Sequence, residues 1–179
     1  MKNRELFDPE PDKKRNIIIG IDPGPTTSGQ VVVDGSVFPP DILESNGETL
    51  DKDLVCTKHD AQVVVSEWLV SYATAVGFSV LDTARLVGRI EERADSKSME
   101  FYKLTRPEVG LEITGSNRSK KGQVNEAVRE LYRKHRPETL GGGKKPAVGT
   151  KKFPGPLYIV KSHAWDALAV VIAWMIINK

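Results

Sequence analysis

Hydrophobic positions along this chain gather in short blocks, and the period inside each block predicts an element. Ile17 to Asp22 is a β-branched run cut off by Pro23-Gly24, the pattern of a buried strand. Gln30 to Asp34, closed by Asp34-Gly35, predicts a second strand paired to the first as a hairpin. Val37 and Phe38 read as the start of a third strand that Pro39-Pro40 interrupts, and residues 39–59 as polar, irregular chain. The Val-rich stretch from Ala61 to Ser66 predicts a strand that reaches Glu67.

Beyond that point the period lengthens. Trp68 to Met99 has a helical pattern with a break at Gly77, and Val109 to Thr114 reads as another strand, ended by Gly115-Ser116-Asn117. Lys121 to His135 predicts an amphipathic helix with Val124, Val128 and Leu131 on one face. Ser162 is a good N-cap for a last helix running nearly to the C-terminus. Its apolar run, Ala167 to Ile177, is too short to span a bilayer and reads as core. A strand hairpin followed by strands alternating with helices predicts a mixed α/β sheet, with no internal repeat.

Composition narrows the picture. A length of 179 residues favours one domain, here residues 17–179, with a real core. The first 16 residues mix charges of both signs with two prolines and read as a disordered tail, without the apolar centre of a secretory signal. Basic residues number 26 against 24 acidic, a net charge of +2, so any nucleic-acid surface must come from local clustering. Residues 139–156 supply one such cluster: five glycines, three prolines and four lysines read as a flexible basic loop. The single cysteine, Cys56, excludes an intrachain disulfide framework and suits a reducing compartment. The expectation is a soluble, cytoplasmic protein.

Four polar side chains stand where apolar elements begin or end. Asp22, at the C-terminal end of a central strand, either faces the crevice where open α/β sheets bind ligands or stabilises the Pro-Gly turn. Glu67 sits where another buried strand emerges; alone it reads more often as a solvated helix-start residue favoured by the dipole. Asp166 lies in the first turn of the last helix, where it complements the dipole, with His163 three residues earlier on the same face. Carboxylates brought together disfavour joint ionisation without a cation. Three of them and an imidazole suit Mg²⁺ or Mn²⁺ better than a structural zinc site.

The ordered set resembles the RuvC-type Holliday-junction resolvases of the RNase H-like (retroviral integrase) superfamily. Ile19-Gly20-Ile21-Asp22-Pro23-Gly24 with Ser28-Gly29 resembles the family's opening strand and turn, and Val65-Ser66-Glu67 falls where its second acid lies. Leu86-Val87-Gly88-Arg89 resembles its Leu-Gly-x-x-Arg-Gly helix motif. Val109 to Val124, with Thr114-Gly115-Ser116 and Lys120-Lys121-Gly122-Gln123-Val124, resembles its strand, turn and basic helix start. Asp166-Ala167-Leu168-Ala169 resembles its closing helix.

The resemblance implies an RNase H-like mixed five-stranded sheet flanked by helices, and symmetric nicking of four-way DNA by a homodimer. It implies two Mg²⁺ ions per site, Asp22 bridging them, Glu67 and Asp166 completing their shells, and His163 as ligand or proton-transfer group. Phosphate contacts would come from Arg118, Lys120 and Lys121 and from the loop lysines Lys144, Lys145, Lys151 and Lys152. The stretch Trp68 to Leu86 is the candidate dimer contact.

The chain also departs from the family. Many members carry Asp where His163 stands, and the aromatic usual three residues after the strand-end Glu is Val70 here, leaving Trp68 or Tyr72 to substitute. The 139–156 segment is long for the link into the last helix. These differences fit a divergent, phage-encoded member. Other readings are a nuclease acting on flaps, forks and other branched DNA, or a junction-binding protein without turnover. An actin-like ATPase shares the opening motif but needs a second phosphate loop and a far longer chain.

Overall fold

Ile17 to Asp22 buries both faces of its strand, and the sheet is built outward from it. The computed structural model describes residues 16–69 and 77–179. Five strands, β1 (Ile17–Asp22), β2 (Ser28–Asp34), β3 (Asp41–Thr49), β4 (Ala61–Trp68) and β5 (Glu100–Thr105), form one sheet in the order β3-β2-β1-β4-β5. The pairs β1/β2 and β2/β3 are antiparallel, whereas β1/β4 and β4/β5 are parallel. Among the described residues four α-helices accompany it: α1 (Phe78–Ser96), α2 (Arg106–Thr114), α3 (Lys121–His135) and α4 (Ala164–Ile177). This is the mixed five-stranded α/β architecture that the sequence leads one to expect.

The strand period of two sorts the core. Ile17, Ile19 and Ile21, with Val32 and Val64, pack on Leu86, Ile90 and Ala94 of α1. Ile18, Val31, Val33, Val63 and Val65 point the other way, against α4 and against Val124, Val128 and Tyr132 of α3. A strand covered on both faces reads as a continuous apolar run, which is why β1 and β4 are plain in the sequence. At Gly20 a Cβ would stand 2.4 Å from Val171 Cγ2 and 2.5 Å from the Ala167 carbonyl oxygen. The missing side chain lets α4 lie directly on β1.

Several elements differ from the pattern's expectation. Residues 39–59 are not irregular throughout: the third strand starts at Asp41, beyond the two prolines, and Val37-Phe38 precedes it. It is a bulged edge strand whose side chains are mostly half-exposed, so it needs no apolar run. Trp68 ends β4, and the helix after it begins at Phe78 with Gly77 as N-cap. The intervening residues 70–76, including Val70 and Tyr72, lie outside the described residues, as do residues 1–15 of the expected tail.

Val109 to Thr114 is helix, not strand. The Thr105 hydroxyl accepts from the Glu108 backbone N–H, the Glu108 carboxylate accepts from the Thr105 N–H, and Pro107 sits in the first turn. Such a capping box overrides the weak β preference of Val and Ile. Gly115 ends the helix at a left-handed φ of 75°. Ser162 is not the N-cap of α4; it holds a φ of 49°, and His163 takes that place.

The basic segment 139–156 is hydrogen-bonded on itself. Gly141 N–H donates to the Pro146 carbonyl and Gly142 N–H to that of Phe153, while Leu157 N–H reaches Ala147. Ala147 and Leu157 are buried, so the segment has an apolar anchor that its composition hides. Among the described residues, no helix is long and apolar enough to cross a membrane.

Candidate active site

The register of the two central parallel strands sets the site. Ile21 lies beside Ser66, so the next residues, Asp22 and Glu67, emerge side by side at the same end of the sheet. Asp22 is also the register partner of Gly29 on β2. A Cβ on Gly29 would stand 2.3 Å from both the carbonyl carbon and the oxygen of His163. The glycine thus admits the N-terminus of α4 to the end of β1. His163 Nδ1 comes to 3.1 Å from Asp22 Oδ2, and Asp166 follows one turn on, almost fully buried.

Asp22, His163 and Asp166 present ligand atoms all within 4.8 Å of one another. Glu67 stands outside that tight group but faces it, and its side chain is largely buried. Arg106 links the two parts, with Nη1 3.5 Å from Glu67 Oε1 and Nη2 3.2 Å from Asp166 Oδ1. Lys121 Nζ donates to Asp166 Oδ2 from the first turn of α3.

Burial, then repulsion from Asp22, pushes the Glu67 carboxyl up to about 7, with Arg106 working against the rise. Burial and the Asp166 charge likewise raise Asp22, opposed by the His163 hydrogen bond and by Lys121. For Arg106, burial disfavours the charged form, but Glu67 and Asp166 outweigh it and hold the guanidinium above its ordinary pKa. The local cations therefore compensate the carboxylates only in part. A hard divalent cation fits that remaining negative charge, and oxygen donors with one imidazole are a donor set it accepts.

Of the four residues expected from the sequence, Asp22, His163 and Asp166 come together, and Glu67 lies at the same end of the sheet, linked to Asp166 through Arg106. Lys121, expected as a phosphate contact, is exposed and pairs with Asp166 at the edge of the carboxylate group. Arg118 and Lys120 are exposed at the α2–α3 turn, and Lys144, Lys145, Lys151 and Lys152 are exposed on the folded basic segment. Lys144 and Lys145 share a recess with Glu126, Arg129 and Arg133 of α3, whose arginines are ion-paired with Glu126 and Glu130.

Arg106 was not legible as a site residue, although a signal existed. Thr105-Arg106-Pro107-Glu108 is a capping-box sequence, and β5 beside β4 places it at the Glu67 end of the sheet.

Comparison with solved structures gives the fold its class: a mixed α/β fold like that of RuvC. RuvC of Thermus thermophilus in complex with a Holliday junction substrate superimposes with a TM-score of 0.64 at 18% identity, covering 91% of this chain and 94% of that one. A second Thermus thermophilus RuvC structure gives 0.61 at 19% identity, covering 90% and 95%. No family model matches the sequence. No curated protein matches it either.

Proposed function

We propose that this chain is a metal-dependent endonuclease that nicks Holliday junctions symmetrically during DNA recombination and repair in the cytoplasm. The observation carrying this reading is the convergence of Asp22, Glu67, His163 and Asp166 at one end of a RuvC-like sheet. Those four residues would hold Mg²⁺, with Mn²⁺ as substitute, two ions per site. Divalent ions bound there would activate the attacking water and stabilise the leaving 3′ oxygen.

The chain's own groups do the rest. Asp22 orients His163 through Nδ1, which leaves Nε2 to hold or move a proton near the reacting phosphate. Lys121 and Arg106 balance the Asp166 charge and offer cations to an incoming phosphodiester. Arg118, Lys120, Lys144, Lys145, Lys151 and Lys152 contact flanking phosphates, a sequence-independent and salt-dependent attraction. A homodimer would place two such sites on symmetric strands. The exposed apolar start of α1, with Phe78 88% and Leu81 50% accessible, supports a contact there.

The test is incubation with a labelled four-way junction and Mg²⁺, beside duplex, flap and fork controls and Asp22→Asn. Paired symmetric nicks confined to the junction and lost in the variant are expected. Equal cutting of flaps and forks would move the assignment to a general branched-DNA nuclease. Tight binding without cutting would leave a junction-binding protein.

A further inference from the structure

On the α1 side of the sheet, a cavity of about 170 Å³ opens beside the turn that follows Asp22. Its lining joins Thr26 and Ser28 of that turn to Asp51 and to Asp82, Arg85 and Arg89. The turn is tightly closed: Gly24 N–H donates to Ser28 Oγ at 3.2 Å, and a Cβ on Gly24 would stand 2.2 Å from the Thr27 carbonyl oxygen. Ser28 is buried, and its hydroxyl accepts that bond while donating to none of the described residues. Among the described residues the Thr26 hydroxyl has no hydrogen bond, and the backbone N–H groups of Thr26 and Thr27 reach no backbone acceptor.

The charges leave one cation free. Arg89 and Arg93 both hold Asp51, at 2.7 and 2.9 Å, so that carboxylate is compensated twice. Arg85 is exposed and, among the described residues, has no hydrogen bond or ion pair, not even with Asp82 one turn before it. Three guanidinium groups thus face two carboxylates. Hydroxyl protons, open backbone N–H groups and a planar guanidinium fork together suit a phosphate, which offers an acceptor oxygen to each. The volume admits a phosphate group and is tight for a whole nucleotide. Its place is also informative. Leu86 of α1 packs on the Ile19 and Ile21 face of β1, whereas the basic segment, through Ala147, belongs to the opposite face with α3 and α4. The cavity and that segment therefore flank the carboxylates from the two sides of the sheet.

We propose that the turn after β1 and Arg85 of α1 form a subsite for one backbone phosphate of the DNA, across the carboxylates from the basic segment. Arg85 grips the phosphate by its fork, and Thr26 and Ser28 donate to its remaining oxygens. The proposal rests on the nuclease reading above and adds a second anchor to it. A strand held on both faces of the sheet has its register over Asp22 fixed, and a phosphate contact does this without reading a base.

The experiment uses the full chain in EDTA and labelled four-way junctions in which single phosphates are replaced by uncharged methylphosphonates. One position should cost the wild type about ten-fold in affinity, the size of one charge-assisted contact, and cost Arg85→Ala nothing further. Lys144→Ala should keep that penalty. Arg85→Ala should itself bind about ten-fold more weakly whatever the arm sequence, with a salt slope lower by about 0.9. Arg85→Lys should keep the slope, and Asp82→Asn should bind more tightly. Arg85 is exposed and unpaired, so an unchanged Tm is expected and separates lost binding from lost folding. Wild-type affinity and slope in Arg85→Ala, or penalties that survive in it at every position, would overturn the subsite. An Arg85→Ala variant that loses only a Tm response to inorganic phosphate would overturn it too, by making the cavity a small-anion site. Adding Mg²⁺ then separates the two readings. An Arg85-dependent penalty without nicking supports the subsite and sinks the nuclease, whereas nicking without that penalty does the reverse.

Discussion

Gly29 and His163 are in backbone contact: a methyl group on the glycine would stand 2.3 Å from the His163 carbonyl oxygen. Because Gly29 is paired with Asp22 across β1 and β2, this approach brings the imidazole onto the carboxylate. Gly29→Ala should push the start of α4 away. A stability loss of about 1–3 kcal/mol, typical of overpacking, is expected together with weaker Mg²⁺ binding. Thermal melts with and without Mg²⁺ check it, and an unchanged Mg²⁺-induced rise in Tm would contradict the positioning role.

Glu67 makes the metal-free protein pH-sensitive. Its folded pKa of about 7 lies above the ordinary 4.5, so the folded state keeps a proton that the unfolded chain has released. Its contribution to stability is fully present below about pH 4.5 and is lost as pH rises towards 7. Asp22, raised in the same direction, adds to the trend. In EDTA, Tm should therefore fall across this window more steeply for the wild type than for Glu67→Gln. Mg²⁺, which binds the ionised carboxylates, should flatten the slope. Parallel wild-type and Glu67→Gln profiles would count against it.

Asp22→Asn removes the neighbouring charge that most strongly opposes ionisation of Glu67. Nicking should vanish while the metal-free fold becomes more stable, on the order of 1 kcal/mol for each pKa unit of relief at Glu67. A denaturant titration at pH 8 in EDTA measures this. A variant less stable than the wild type would mean that the Asp22–His163 hydrogen bond outweighs the repulsion.

Thr105→Ala should cost about 1 kcal/mol by removing the cap of α2. Because Arg106 is the first residue of that helix, its grip on Glu67 and Asp166 should loosen as well. The readouts are Tm and the midpoint of the Mg²⁺ titration. Thr105→Ser, which keeps the acceptor, should restore both.

Neutralising Lys144, Lys145, Lys151 and Lys152 together should weaken junction binding and flatten its salt dependence. For duplex arms, the slope of log K against log salt falls by about 0.9 for every phosphate no longer neutralised. Fluorescence anisotropy across a salt series tests it, and an unaltered slope would exclude the segment from the DNA surface.

Much of this protein was legible in the chain itself. Ile17 to Asp22 and Ala61 to Glu67 announce two buried strands because both of their faces are covered, and α4 announces itself because its body is apolar all round. The four candidate site residues stand out for the matching reason that each is a polar group at the end of such an element. What escaped was set by partners far away in sequence. The edge strands β3 and β5 are half-exposed and need no apolar pattern, and the helix α2 follows from a capping box that outweighs its β-branched residues. Arg106 looks like any exposed arginine until the β4/β5 register carries it to Glu67. That Lys121 also pairs with Asp166 is decided only by the packing of α3 against α4. Local burial writes itself into sequence, but the meeting of charges from separate elements is decided only when the sheet and helices close around them.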